Sequence, residues 1–442
     1  MIHNSIDPQT QADICILGKI DDFFNRFNIG STLHRCGIRK RHGHSVRSLI
    51  KTIFTLPFVG KNFFRGIVIK DELPFGKDAA YEMLKACNSN WRRLLLLLGV
   101  RLYEFINRLT DEKRDSVLIV DDSTYDRSRS KKVELLCRVL DHSSGRFLKG
   151  FRMLTVCWSD GASCLPMDRR CCAWQRRKEA TVKATKHLDE MVKRILSAGV
   201  QAKYLLMDSW FTMPATVTAL SAHIDVIGMV KKTPNVLYGY NGHRMDLKAV
   251  YRNLKKRCGR ASILASTIVT LKKGLRVKLV FVRDRRKKDW LALMSTDLEL
   301  ANEEIVRIYG KRWDIEVFFK MAKQHLKLAK EIQCRDYDAL IAHTSIVFMR
   351  YMFLAYQCRI ETDQRTFGDL FYACCQEVAD ISFIEALYRI LTLAGERLRE
   401  IGSYCQKTAS ALLESIKETA LKCVGLSKNN CLANIRSLFI IT

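Results

Sequence analysis

Two short apolar runs in this chain end in aspartate. Ser116-Val117-Leu118-Ile119-Val120 leads into Asp121-Asp122, and Tyr204-Leu205-Leu206-Met207 leads into Asp208. Unbroken apolar runs of this length read as strands buried on both faces. The carboxyl ends of such strands are where open α/β sheets place their sites. A third carboxylate, Glu316, falls in residues 308–323, where the period is helical. At ~100° per residue, Tyr309, Arg312, Glu316 and Lys323 lie within a stripe of ~60° over four turns. Such a stripe is either a solvated face laced with i,i+4 ion pairs or a face that meets phosphates. In the second case an Arg fork offers bidentate contact and a Lys a point charge.

The elements that must position these residues can be read from pattern alone. From about residue 10 to 110 the apolar period is helical; Val46, Leu49, Ile50 and Ile53 share one face. Residues 35–65 there carry many basic side chains and no acidic one, with His42 and His44 readable as metal ligands or, more simply, as solvated or phosphate-facing groups. The pattern changes at Asp115. Strand-like pieces follow at about 116–120, 135–140 and 151–158, then a helix over 180–198 stopped by Gly199. A strand at 204–207, a helix at 213–222 and a strand at 225–230 complete a mixed β/α core. Residues 231–289 alternate turn signals with β-type runs, and between Val250 and Trp290 there are 14 basic residues against two acidic ones. A strand at 290–295 precedes one long helix expected over 302–327, and the remainder from about 337 reads as helical.

Composition narrows the function. The 442 residues carry 74 Lys+Arg against 46 Asp+Glu, a formal net charge of +28, which suits a partner made of phosphates rather than a small molecule. Hydrophobic residues at 48% exclude wholesale disorder. The sixteen cysteines include no C-x-x-C, so a zinc ribbon or redox motif is not expected; buried free thiols of a reducing compartment are. The start, MIHNSIDPQTQ, lacks the basic and apolar regions of a signal peptide. The apolar stretch at 340–356 is interrupted by His343 and Arg350 and falls short of the ~20 residues of a membrane span. The expectation is a soluble intracellular protein with no membrane partner.

Tyr-x2-Arg-x3-Glu-x6-Lys, matched here by Tyr309, Arg312, Glu316 and Lys323, resembles the "YREK" signature of the IS-four-type bacterial insertion-sequence transposases, a DDE family. Ile119-Val120-Asp121-Asp122-Ser123-Thr124 resembles its first acidic strand, Leu205-Leu206-Met207-Asp208-Ser209-Trp210-Phe211 its second, and Asp289-Trp290-Leu291-Ala292-Leu293-Met294-Ser295-Thr296 the strand ahead of its glutamate helix. The resemblance covers roughly residues 115–335. It implies an α/β (α+β, multidomain) chain: an RNase H-like mixed-sheet core with a β-rich insertion, flanked by helical regions. The expected layout is a basic helical DNA-binding region at 1–112, the first part of the core at 113–231, the insertion at 232–288, the last strand and glutamate helix at 289–335, and a helical dimerisation region at 336–442.

The resemblance further implies a DNA transposase acting at terminal inverted repeats. It would nick each end with activated water, form a hairpin with the freed 3′-hydroxyl, open it, and join the ends to target DNA. Asp122, Asp208 and Glu316 would hold two Mg²⁺ ions (with Mn²⁺ as substitute) ~3.5–4 Å apart, because hard cations take carboxylate oxygens. Asp121 competes for the first place, since one residue of register decides which acid points into the site; the family motif aligns the acid before the hydroxyl pair, Asp122. Tyr309 and Arg312 would contact phosphates near the cleaved end, and Lys323 would steady the strand. Trp290 would stack a flipped base or else serve as a core tryptophan of its strand, and Trp313 is expected in the core. The partners implied are double-stranded DNA, as transposon ends and target, and a second copy in a synaptic homodimer, in a bacterial cytoplasm. Two other readings stay open: a non-catalytic, repressor-like DNA-binding relative, and an RNase H-like nuclease without strand transfer.

Overall fold

The computed structural model describes residues 16–58, 63, 75–109, 114–141, 145–172, 184–257, 261–284, 289–332 and 334–360. Five helices come first: α1 (Ile16–Arg26), α2 (Ile29–Arg35), α3 (Val46–Thr55), α4 (Lys77–Lys85) and α5 (Trp91–Arg108). Helix α3 starts where Ser45 Oγ accepts the amide of Ser48 at 3.1 Å, and it buries Val46, Leu49, Ile50 and Ile53 as their spacing requires. Asn90 caps α5 in the same way, through the amide of Arg93 at 2.9 Å.

The rest of the described chain builds one 11-stranded sheet and the helices that cover it. In chain order the elements are β1 (Val117–Asp126), β2 (Cys137–Asp141), β3 (Arg146–Ser159), β4 (Cys164–Cys172), α6 (Ala184–Ser197), β5 (Tyr204–Met207), α7 (Pro214–Leu220) and β6 (Asp225–Met229). There follow β7 (Leu237–Tyr240), β8 (His243–Asp246), α8 (Leu247–Asn253), β9 (Ile263–Thr270), β10 (Arg276–Asp284), β11 (Asp289–Ser295), α9 (Asn302–Gly310), α10 (Trp313–Gln324) and α11 (Tyr337–Ile360). The centre of the sheet runs β4-β3-β1-β5-β6. Strands β4, β3 and β1 are successively antiparallel, while β5 and β6 run parallel to β1 with α6 and α7 as connections. That order and orientation is the RNase H-like core. The basic β-type block is continuous with it: β11 pairs antiparallel with β6, and β10, β9, β7 and β8 extend the same sheet.

Four features depart from the sequence reading. Strand β1 does not stop at its aspartates. It pairs with β3 over its whole length, from Val117↔Ser159 to Asp126↔Gly150, so Asp121 and Asp122 lie inside it. Its parallel pairing with β5 ends at Ile119↔Leu206, so the acids sit just past the point where pairing with β5 stops. Gly150 permits the close β1–β3 approach, since a Cβ there would fall 2.1 Å from the carbonyl oxygen of Tyr125. Strand β4 was not anticipated, because its Asp168 and Arg169 break the apolar run; both are fully buried. Asp168 is held by a fork from Arg92 at 3.0 and 2.7 Å, and Arg169 reaches Ser345 Oγ at 2.8 Å.

The long helix expected over 302–327 is two helices. At the junction the amides of Lys311 and Arg312 bond the carbonyls of Ile308 and Tyr309, both at 3.0 Å. These are i→i−3 bonds of a tighter turn, next to Gly310, a weak helix former. Trp313 opens the second helix on the side away from Ile315 and is 60% exposed, not in the core.

Helix α11 passes through the interior, and 94% of its apolar window is buried. By length and composition it could cross a membrane; inside the fold it packs on α5, α4 and α3. Phe353 meets Phe23 and Phe54 at ring distances of 5.4 and 5.9 Å, joining the N-terminal helices to it. Its two polar interruptions are explained by a partner: buried Glu331 accepts from Arg350 Nη2 at 2.8 Å and lies 2.7 Å from His343 Nε2. The expected C-terminal dimerisation region falls mostly outside the described residues, as does everything beyond residue 360. The described cysteines are free thiols, with Cys36, Cys157, Cys164 and Cys334 buried and Cys87 exposed.

Candidate active site

The parting of β1 from β5 and the overlying helix α10 make the site. Helix α10 turns Ile315, Phe318, Phe319 and Ala322 inward, with Phe318 against Phe348 and Tyr351 of α11 at 4.8 Å each. Its start is pinned to the sheet: Ser159 Oγ donates to Asp314 at 2.6 Å, and Lys311 Nζ donates to the carbonyl of Asp115 at 2.6 Å. Arg312 therefore stands over β1. One end of its guanidinium approaches Asp121 Oδ2 at 3.3 Å, and the other is tightly paired with Glu316 one turn on. Successive strand residues face opposite sides of a sheet. Asp122 accordingly turns away from α10 and forms a close ion pair with Arg152 of β3.

Asp208, immediately after β5, is fixed by its own chain. Its Oδ1 accepts the amides of Trp210 at 3.0 Å and Phe211 at 3.2 Å, the local turn that aspartate favours after a strand. Burial raises its pKa; those amides and Arg312 oppose the rise, and Asp122 adds to it. Asp121 is moved further. Burial pushes its carboxyl up to about 7, against the pull of Arg312, with repulsion from Asp208 and Asp122 contributing. Burial alone would lower the Arg312 pKa, but Tyr309, Asp121 and Glu316 outweigh it and hold the guanidinium charged. The phenol of Tyr309 is pushed up to about 12, first by burial, while the nearby Arg312 pulls it down and Asp208 pushes it up. At the far end of α10, burial lowers the Lys323 pKa, offset in part by Asp141, Asp121 and Asp126.

The structure thus gathers Tyr309, Arg312, Glu316 and Lys323 on one side of β1 with Asp121 and Asp208, although their helix is broken. The i→i−3 turn at 309–312 superposes Tyr309 and Arg312, since residues three apart eclipse in such a turn. Asp122 stays within the electrostatic reach of Asp208 but is engaged elsewhere. Trp290 is the second residue of β11 and has aromatic neighbours. Its ring packs on Tyr251 at 4.5 Å and Phe281 at 5.3 Å, with Lys232 Nζ 3.9 Å above it.

Two groups beside the site carried no role in the sequence reading. Arg152 bridges from Asp122 to Trp210, its guanidinium 5.4 Å from the ring centre, and Lys231 approaches the same ring at 5.5 Å. Trp210 is half exposed although it follows Asp208 by two residues. The basic segment Arg127-Ser128-Arg129-Ser130-Lys131-Lys132 directly after β1 was legible as a charge run.

Residues 69–260 match a family model described as DDE superfamily endonuclease, less than half of the chain. The match includes Asp121, Asp122 and Asp208 and ends before Glu316. No curated protein matches the chain. Among solved structures, a piggyBac transposase synaptic complex with hairpin DNA is similar at 11% identity, over 90% of this chain and 85% of that one, with a TM-score of 0.48. The NurA nuclease from Sulfolobus solfataricus aligns at 10% identity over 55% of this chain and 85% of its own, with a TM-score of 0.26.

A divalent cation fits the donors by chemistry, since carboxylate oxygens, here half-buried, are what hard cations take. Among the described residues, however, no three of Asp, Glu, His or Cys are drawn together closely enough to hold an ion as they stand. Arg312 stands between Asp121 and Glu316 and pairs with both.

Proposed function

We propose that this chain is a DNA transposase of the insertion-sequence type, cutting and rejoining phosphodiester bonds at a pair of terminal inverted repeats. The observation that carries the reading is the convergence of Asp121, Asp208 and Glu316, from three distant segments of an RNase H-like core, around one guanidinium. The match to a DDE superfamily endonuclease model over residues 69–260 supports the same chemistry.

In this reading Asp121 takes the first ligand position, Asp122 being its neighbour held by Arg152, and Asp208 and Glu316 take the other two. Divalent ions bound there, Mg²⁺ or in its place Mn²⁺, hold the attacking and leaving oxygens in line and offset their charge. Asp208 is already oriented by two backbone amides, so little is lost in fixing it. Arg312 lies within reach of both carboxylates; released from them, its fork suits bidentate contact with a phosphate. Tyr309 and Lys323 flank the same groove and face the backbone of the cleaved end. Trp290 can stack a base only by shedding Lys232 from its ring. Cutting at both ends, passage through hairpins and joining to target DNA would require two copies working together.

The test is DNA carrying both flanks of the gene, incubated with the full chain and Mg²⁺ or Mn²⁺, with Glu316→Gln alongside and products resolved on a denaturing gel. Metal-dependent nicks at the ends, followed by hairpins and absent in the variant, are expected. Tight, salt-sensitive binding of those ends without cleavage by either protein would support the repressor-like reading instead.

A further inference from the structure

A second basic feature adjoins the carboxylates. A groove of about 1220 Å³ opens between the segment after β1 and the segment after α10, lined among others by Thr124, Arg129, Lys131, Lys132, Lys323, Lys330 and Arg335. Two acids, Asp126 and Asp141, also line it, and both are engaged. Asp126 Oδ1 accepts the amide and hydroxyl of Ser128 at 2.8 and 2.6 Å, and Asp141 accepts from Thr124 at 3.3 Å. Arg129, Lys131, Lys132, Lys330 and Arg335 form no ion pair with a described acidic residue. A soluble protein that leaves so many cations uncompensated along one concave wall is arranged for a polyanion.

Hydrogen bonds tie the walls to each other. Arg127 crosses the floor to the carbonyls of Ala329 at 3.1 Å and Cys334 at 2.9 Å. The amide of Glu134 bonds the carbonyl of Arg335 at 2.8 Å, and Glu134 Oε2 accepts the amide of Tyr337 at 3.1 Å. The cations project from a scaffold tied across the groove, so binding need not order a loose loop first. The groove shares Lys323 with the candidate active site. That lysine, on α10, lies within electrostatic reach of Asp121 as well as of the groove acids Asp126 and Asp141. At this volume it exceeds a small-molecule cleft, typically about 300–1,000 Å³.

We propose that this groove is a phosphate-binding channel that carries the backbone of a DNA strand away from the carboxylates, gripped by Arg129, Lys131 and Lys132 on one wall and Lys330 and Arg335 on the other. It rests on the reading of the carboxylate site as a DNA-processing centre. The channel grips backbone only and adds affinity without sequence preference, as phosphate contacts do.

The experiment measures binding of a fluorescent duplex carrying one flank of the gene to the full chain in EDTA, by anisotropy, across a series of salt concentrations. The variants are Lys131→Ser/Lys132→Ser, Lys330→Ser on the opposite wall, and Lys272→Ser/Lys273→Ser on the β9–β10 turn as a charge-matched control. The double groove variant is expected to lose roughly tenfold in affinity near 0.1 M salt and to flatten the log–log salt slope by about 2, with Lys330→Ser flattening it by about 1. Melting temperatures should match wild type, and the same losses should appear on a duplex of unrelated sequence. If the groove variants bind no more weakly than the control while wild type binds well, the channel is refuted and the catalytic reading stands. If wild type itself binds no duplex, both fall.

Discussion

At the residue scale the site turns on which of two adjacent aspartates faces α10. The sequence could not decide it. Val117 to Val120 are apolar without alternation, because β1 is covered on both faces, and alternation is what reveals register. The structure resolves it through Arg312, which meets Asp121, and Arg152, which meets Asp122. The acid pair and the Tyr-Arg-Glu-Lys spacing were legible because they are matters of residue type; the contacts of Arg152 with Asp122 and with Trp210 were not, since they depend on the pairing of β1 with β3 and with β5. A pH dependence belongs here. Asp121, pushed up to about 7, must lose its proton to accept a cation. Its protonated fraction grows below that value, so apparent Mg²⁺ affinity should fall about tenfold per pH unit below it and level off above. Removing the pull of Arg312 with Arg312→Gln should move the turning point upward. Calorimetric titration from about pH 5.5 to 8.5 reads both, and a flat profile in wild type would remove Asp121 from the ligand set.

At the element scale, periodicity found what periodicity encodes. Helix α3, strand β5, helix α7 and strand β11 lie close to where pattern placed them. Strand β4 escaped because Asp168 and Arg169 are buried with distant partners, which no local window contains. The hitch at 310–312 escaped because its backbone stays helical, differing only in the hydrogen bonds that close the turn. Helix α11 shows why two polar residues can sit in an apolar run. Arg350 donates to the carbonyls of Phe54 and Leu326 at 3.0 and 2.9 Å and to Glu331, tying α3, the end of α10 and α11 together. Arg350→Met should cost about 3–5 kcal/mol in denaturant unfolding, because Glu331 is left buried without its cation. The double variant Arg350→Met/Glu331→Gln should recover part of that loss. Equal stability of the single variant and wild type would contradict this account of the helix.

At the scale of the whole molecule, one sheet joins the RNase H-like core to the basic β-rich segment, so the two share a hydrophobic interior rather than meeting as separate bodies. The net charge of +28 has a structural counterpart in the groove beside Lys323. Composition gave only an excess of positive charge; the fold shows that Arg129, Lys131 and Lys132 line one groove with Lys330 and Arg335. The carboxylates Asp121 and Asp208 lie just past the end of β1–β5 pairing, with Glu316 on the overlying α10, and it is there that the proposed function places the phosphodiester. The most direct test compares Asp121→Asn with Asp122→Asn in metal-dependent cleavage of the gene's flanking DNA, each variant checked for an unchanged melting temperature and duplex binding. Abolished cleavage in Asp121→Asn, with cleavage retained in Asp122→Asn, is the expected result; cleavage retained by Asp121→Asn and abolished by Asp122→Asn would contradict the site as described.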